Sequence, residues 1–153
     1  KPEAYPRLAL AVAANHDLPT FRGWWEGRDI ALLAEHGALS ADELVRRIEH
    51  RARERDALLQ ALVDAGLLPG AERSFAAIKL AVHRYLGRTN AVLALAQIED
   101  IANQLDPVNA PSLPQYPSWR RRVPATMESM MADGSLDAIT AALASERSRW
   151  APG

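Results

Sequence analysis

The sequence predicts an α/β chain that is mostly helical and carries at most two parallel strands. Three observations lead there. Alanine and leucine dominate an apolar fraction of 48%, a composition rich in helix formers. Two short, almost wholly apolar runs, Leu8 to Ala14 and Ala91 to Ile98, suit buried strands. Between and after them lie segments with helical spacing and helix start and stop signals. Two such strands separated by helices form a β-α-β arrangement, parallel and right-handed by strong precedent. The 153 residues are read as a single unit, with a strand and site loop over 1–28, a helical part over 29–90, and a last strand, proline-rich loop and terminal helices over 91–153.

Leu8 to Ala14 has no polar face, so as a strand it must be covered on both sides; a buried helix is the competing reading. The polar residues and proline of Asn15-His16-Asp17-Leu18-Pro19 end the run abruptly and favour the strand. The chain opens on Lys1, and this run follows so soon that the sequence reads as if entered mid-domain. Asp29 can cap a short helix through Glu35, stopped by Gly37. Ser40-Ala-Asp-Glu43 is a capping box opening a long helix, on which Leu44, Ile48, Leu58, Leu62 and Val63 keep helical spacing. Its middle, Glu49 to Asp56, is nearly all charged and is expected to face solvent, and Gly66 caps its end.

A further helix is predicted over Ser74 to Leu86, with Phe75, Ile78, Val82 and Tyr85 or Leu86 on one side and Gly87 ending it. Val92, Leu93, Leu95 and Ile98 then make the second buried strand. Pro107, Pro111, Pro114 and Pro117 restrict Leu105 to Val123 to a long loop, which Tyr116 and Trp119 would anchor. Helices over Thr126 to Met131 and Ser135 to Arg149 close the chain.

Charge and composition exclude several functions. Eighteen basic against nineteen acidic side chains create no field toward nucleic acid or an anionic membrane, and a neutral small molecule is the better-fitting partner. No apolar run is long enough for a membrane-spanning helix. With no cysteine there is neither a disulfide framework nor a thiolate metal site, which agrees with a cytoplasmic location. His36, His50 and His83 lack ligand spacing, and no glycine-rich phosphate loop is present, so neither a metal nor another cofactor is expected.

The residues with chemical promise sit at the end of the first strand. His16 and Asp17 occupy the position where barrel and open α/β folds place catalytic groups. The plainer reading makes Asp17 a turn cap and ties His16 to a nearby carbonyl. Trp24 and Trp25 suit stacking on sugar rings or filling a core, the latter being the usual role. Arg120, Arg121 and Arg122 could meet phosphate, but ion pairing within the loop is the more ordinary use of such a triplet.

Two segments carry a family resemblance. Asn15-His16-Asp17-Leu18-Pro19-Thr20-Phe21-Arg22-Gly23-Trp24-Trp25 resembles a stretch of bacterial amylomaltases, the 4-alpha-glucanotransferases of glycoside hydrolase family 77. Pro107-Val108-Asn109-Ala110-Pro111, then Gln115 to Arg122 and Ala125 to Asp133, resembles the family's near-terminal stretch in order and separation. Ser112 and Ser118 depart from it, standing where the family usually has glycine and asparagine.

The resemblance implies the C-terminal part of a (β/α)8 barrel, with Leu8 to Ala14 as its seventh strand and Ala91 to Ile98 as its eighth. It implies a retaining transfer of alpha-1,4-glucan segments between maltooligosaccharides. On this mapping Asp17 stabilises the transition state, while His16 and Asn109 bind substrate. The nucleophile and acid/base of the family lie in earlier strands, so this chain alone is expected to be inactive. Strand edges cut from a closed barrel would also favour self-association. Without the resemblance, the residues fit a stand-alone helical module that binds another protein.

Overall fold

The computed structural model describes residues 1–147. After a short 3-10 turn at Pro2–Ala4, the described residues form strands β1 (Leu10–Ala11) and β2 (Leu93–Ala94) and helices α1 (Phe21–Glu26), α2 (Arg28–Glu35), α3 (Ala41–Asp64), α4 (Phe75–Gly87), α5 (Ile98–Ile101), α6 (Met127–Ala132) and α7 (Ser135–Arg147). The final two residues of the helix expected to reach Arg149 lie outside the described residues.

β1 and β2 pair in parallel, Leu10 with Leu93 and Ala11 with Ala94. Hydrogen bonds from the N–H groups of Val92, Leu93 and Leu95 to the carbonyls of Arg7, Ala9 and Ala11 extend the pairing slightly beyond the strands. Both strands are shorter than the apolar runs that predict them, and they are not covered on both sides. Side chains alternate across a strand. Ala9, Ala11, Ala13 and Ala94 therefore turn to the helices, whereas Leu8 and Leu10 are 91% and 49% exposed, and Leu93 and Leu95 are both more than half exposed. Small residues face the helices, and the leucines lie on the opposite, largely uncovered side of the sheet. Ile98 belongs to α5 rather than to a strand.

The main core lies between the sheet and α3 and α4, where Leu59, Leu62, Ile78, Ala81, Val82 and Leu86 bury against Phe21, Leu67 and Leu68. Local signals set these helices as expected. Ser40 and Glu43 satisfy each other's backbone N–H groups at the start of α3, and Gly66 turns its end with φ +66°. Ser74 and Thr126 cap α4 and α6 through the N–H groups of Ala77 and Ser129. Gly87 is the last residue of α4, as expected, and α7 crosses there so closely that an added Cβ would stand 2.7 Å from the Leu143 carbonyl oxygen. Glu146 of α7 is buried beneath that crossing and receives Arg84 and Arg88, each at 2.6 Å. Burial alone would raise its carboxyl, but the hydrogen bonds from Arg88 and Arg84 hold it below the usual range.

Three further expectations are corrected. Asp29 does not cap α2, which starts from Gly27 in the left-handed conformation; its carboxylate takes a two-pronged bond from Arg51 at 2.9 and 2.7 Å. Arg51 is accordingly buried within the charged stretch Glu49 to Asp56, because it reaches inward to Asp29 and to the Trp24 carbonyl. The stretch Phe21–Glu26, read from sequence as loop, is helical.

Candidate active site

The turn after β1 is organised by Asn15. Its side-chain oxygen accepts the Asp17 N–H at 2.9 Å, and its carbonyl accepts the Leu18 N–H at 3.0 Å. Asn15 thus does the work assigned to Asp17 by the plainer reading, and the Asp17 carboxylate is left pointing outward. Its Oδ1 accepts a hydrogen bond from the Asn109 amide at 2.7 Å. His16 stands beside it, Nε2 at 3.5 Å from Asp17 Oδ2, with both side chains more than half exposed. The structure therefore gathers His16, Asp17 and Asn109 into one cluster.

The approach of Asp17 to Asn109, 92 residues later, is enforced a few residues after Asp17 and a few before Asn109. Thr20 caps α1 by accepting the Gly23 N–H at 2.9 Å and donates its hydroxyl to the Gln104 carbonyl at 2.6 Å. The Phe21 N–H donates to Asp100 Oδ1 at 2.7 Å, and Gly23 lies so near Leu105 that no side chain would fit. These contacts bolt the segment after β1 to the segment after β2. Thr20 is the sequence signal for α1, a threonine immediately before an aromatic-rich run.

The proline-rich loop is anchored on α2 and braced by its own residues. Tyr116 buries with Leu113 against Leu32 and donates its hydroxyl to the Pro107 carbonyl at 2.6 Å. Asp106 bridges Arg28 at 2.7 Å and Arg121 at 2.9 Å, and Arg121 also lies over the Tyr116 ring. The arginine triplet thus supplies an internal brace through Arg121. Trp119 is not an anchor, being 63% exposed with its ring 5.3 Å from that of His16. Trp24 and Trp25 take the core role, stacked among Phe21, Arg51 and Arg55 away from the Asp17 cluster.

A cleft of about 160 Å³ is lined by Asp17, Leu18, Pro19, Pro107, Asn109 and Pro111 among others. Two other carboxylates nearby, Asp29 and Asp106, are engaged by Arg51 and by Arg28 with Arg121. The cluster can offer sugar hydroxyls one anionic acceptor, one amide and one imidazole. It does not hold the two carboxyl groups about 5 Å apart that retaining chemistry requires. Among the described residues no group of three or more His, Asp or Glu is placed to hold a metal, and no helix is long and apolar enough to cross a membrane.

Behind the cluster, Asp100 is 2% exposed, and burial pushes its carboxyl up to about 6 against the lowering effects of the Phe21 N–H and Lys79. Lys79, donating to Asn103 Oδ1 at 2.8 Å, is itself held below the lysine range by burial. Because the folded state raises the Asp100 pKa, it binds this proton more tightly than the unfolded chain does. Stability is therefore lost as pH rises from the unfolded value near 4 through about 6. Asp100→Asn removes that penalty. The stability difference between variant and parent is expected to shift in the variant's favour by on the order of 3 kcal/mol between pH 4 and pH 7, as measured by urea unfolding at each pH.

Comparison with known proteins identifies a family and a fold. The family model described as 4-alpha-glucanotransferase matches residues 1–128. The 4-alpha-glucanotransferase of Haemophilus influenzae is 31% identical over 127 residues, covering 78% of this chain and 18% of that protein. Those of Mycobacterium bovis and Mycobacterium tuberculosis are 32% identical over 126 residues, covering 81% of this chain and 17% of theirs. The crystal structure of amylomaltase from Corynebacterium glutamicum superposes with a TM-score of 0.83 at 21% identity, over 94% of this chain and 23% of that one. The chain spans less than a fifth of the length of these curated relatives. Its fold is that of part of a (β/α)8 barrel.

Proposed function

The chain belongs to the 4-alpha-glucanotransferase family, glycoside hydrolase family 77, and from that premise we propose that it forms the C-terminal wall of a glucan-transferring active site. The whole protein moves alpha-1,4-glucan segments between maltooligosaccharides. A carboxylate elsewhere in the protein attacks the anomeric carbon while a carboxylic acid protonates the departing glycosidic oxygen. The 4-hydroxyl of a second sugar then releases the covalent glycosyl-enzyme.

In this reading Asp17 stabilises the positive charge that develops on the sugar ring, and His16 and Asn109 bind its hydroxyls. The observation that carries it is the Asn109–Asp17 hydrogen bond of 2.7 Å, which joins the loops following two adjacent parallel strands. That is the end of a barrel at which substrates are handled. The bare leucine face of β1 and β2 supports it too, as the surface on which a barrel interior would close, or on which a second copy of the isolated chain would associate. The absence of cysteine fits a cytoplasmic setting in maltodextrin or glycogen metabolism.

The chain alone, lacking a carboxylate pair at Asp17, is inactive. Maltotriose disproportionation provides the test: the whole protein releases glucose, whereas the 153-residue chain gives none above blank. Glucose release by the short chain would overturn the division of labour, and no release by the whole protein would overturn the function.

A further inference from the structure

Trp119 and Tyr116 lie three residues apart and meet opposite fates. Tyr116 is 5% exposed, packed with Leu113 against Leu32 of α2; Trp119 is 63% exposed. Trp119 also carries a backbone φ of +63°, a conformation uncommon for a bulky aromatic residue and found where the surroundings impose it. The imposition is visible. The Ser118 N–H donates to the Tyr116 carbonyl at 2.7 Å and the Trp119 N–H to the Val108 carbonyl at 2.9 Å. The reversal turns the indole out of the loop and beside His16, with ring centroids 5.3 Å apart at 48°. Because Trp119 is fastened to Val108, it is also fixed next to Asn109, the partner of Asp17.

A glucopyranose has two recognition chemistries: hydroxyls around its rim and an apolar face of C–H groups. The His16, Asp17 and Asn109 cluster supplies the polar half. An exposed indole whose backbone is fastened at its margin supplies the apolar half, and an aromatic side chain with two torsions loses little freedom on stacking. Resting on the glucan-binding reading above, we propose that Trp119 is a stacking platform for a glucose ring of the bound glucan chain, adjoining the ring held by Asp17.

The test uses the whole enzyme with maltoheptaose. Trp119→Ala is expected to raise KM about tenfold, with the loss in KM rather than kcat. Trp119→Phe, which keeps an aromatic face, is expected to stay within about threefold of the parent. Melting temperatures of both variants are expected to match the parent, since Trp119 belongs to no core cluster. An unchanged KM in Trp119→Ala overturns the proposal. So does a rise in KM that accompanies an equal fall in melting temperature in both variants, which assigns the indole to packing against the rest of the protein. A parent enzyme that does not turn over maltoheptaose overturns the glucan-transfer reading itself, and this proposal with it.

Discussion

Asp17→Asn in the whole enzyme is expected to lower turnover of maltotriose by on the order of a hundredfold or more while leaving the fold intact. The carboxylate is half exposed, so its neutral isostere neither leaves a buried charge unpaired nor opens a cavity. The Asn109 amide still finds an acceptor oxygen, so the two loops stay joined. What disappears is one negative charge at the place where positive charge builds on the sugar. Measuring kcat alongside the circular dichroism melt separates the two effects. Unchanged turnover with an unchanged melt removes Asp17 from the chemistry.

Gly23→Ala is expected to act through the scaffold. An added methyl would stand 2.4 Å from the Leu105 carbonyl oxygen and 3.0 Å from the Thr20 hydroxyl. The nearest obstacle is backbone, so relief requires the segment after β2 to move. Overpacking of this kind costs about 3 kcal/mol, against a gain of about 1 kcal/mol from the better helix former. The net loss of about 2 kcal/mol lowers the melting temperature of the chain by about 4 to 8 °C. Because Leu105 leads into the loop carrying Asn109, turnover of the whole enzyme falls as well. Gly70, where an added methyl meets nothing within 4 Å, is the control position, and Gly70→Ala is expected to leave both readouts near the parent's.

How much was legible in the sequence depended on the range of the interaction. Capping boxes and left-handed glycines are local, so Ser40 with Glu43, Ser74, Thr126, Gly37 and Gly66 mark their helix boundaries directly. The strands were legible as apolar runs but not as one-sided. The alternation of alanine and leucine is a small-versus-large pattern, hidden when both residues count equally as apolar. Arg51 looked like one more charge on a solvated face because its partner Asp29 lies 22 residues earlier. For the same reason nothing local distinguishes the indole of Trp119 from the buried ring of Tyr116. The juxtaposition of Asp17 with Asn109 was reachable only through family resemblance, and its cause, the clasp of Thr20, Phe21 and Gly23 onto Asp100 through Leu105, was not reachable at all.

The unequal covering of the two strands grades how the molecule opens. Amides in the last turns of α3 and along α4 sit over the sealed interior around Leu62 and Ile78 and exchange with solvent hydrogen only when the entire chain unfolds. The few ladder bonds joining Arg7, Ala9 and Ala11 to Val92, Leu93 and Leu95 are shielded from one side only, so they break in small local fluctuations. Unravelling therefore starts at the sheet, and the helical layer is the last to let go.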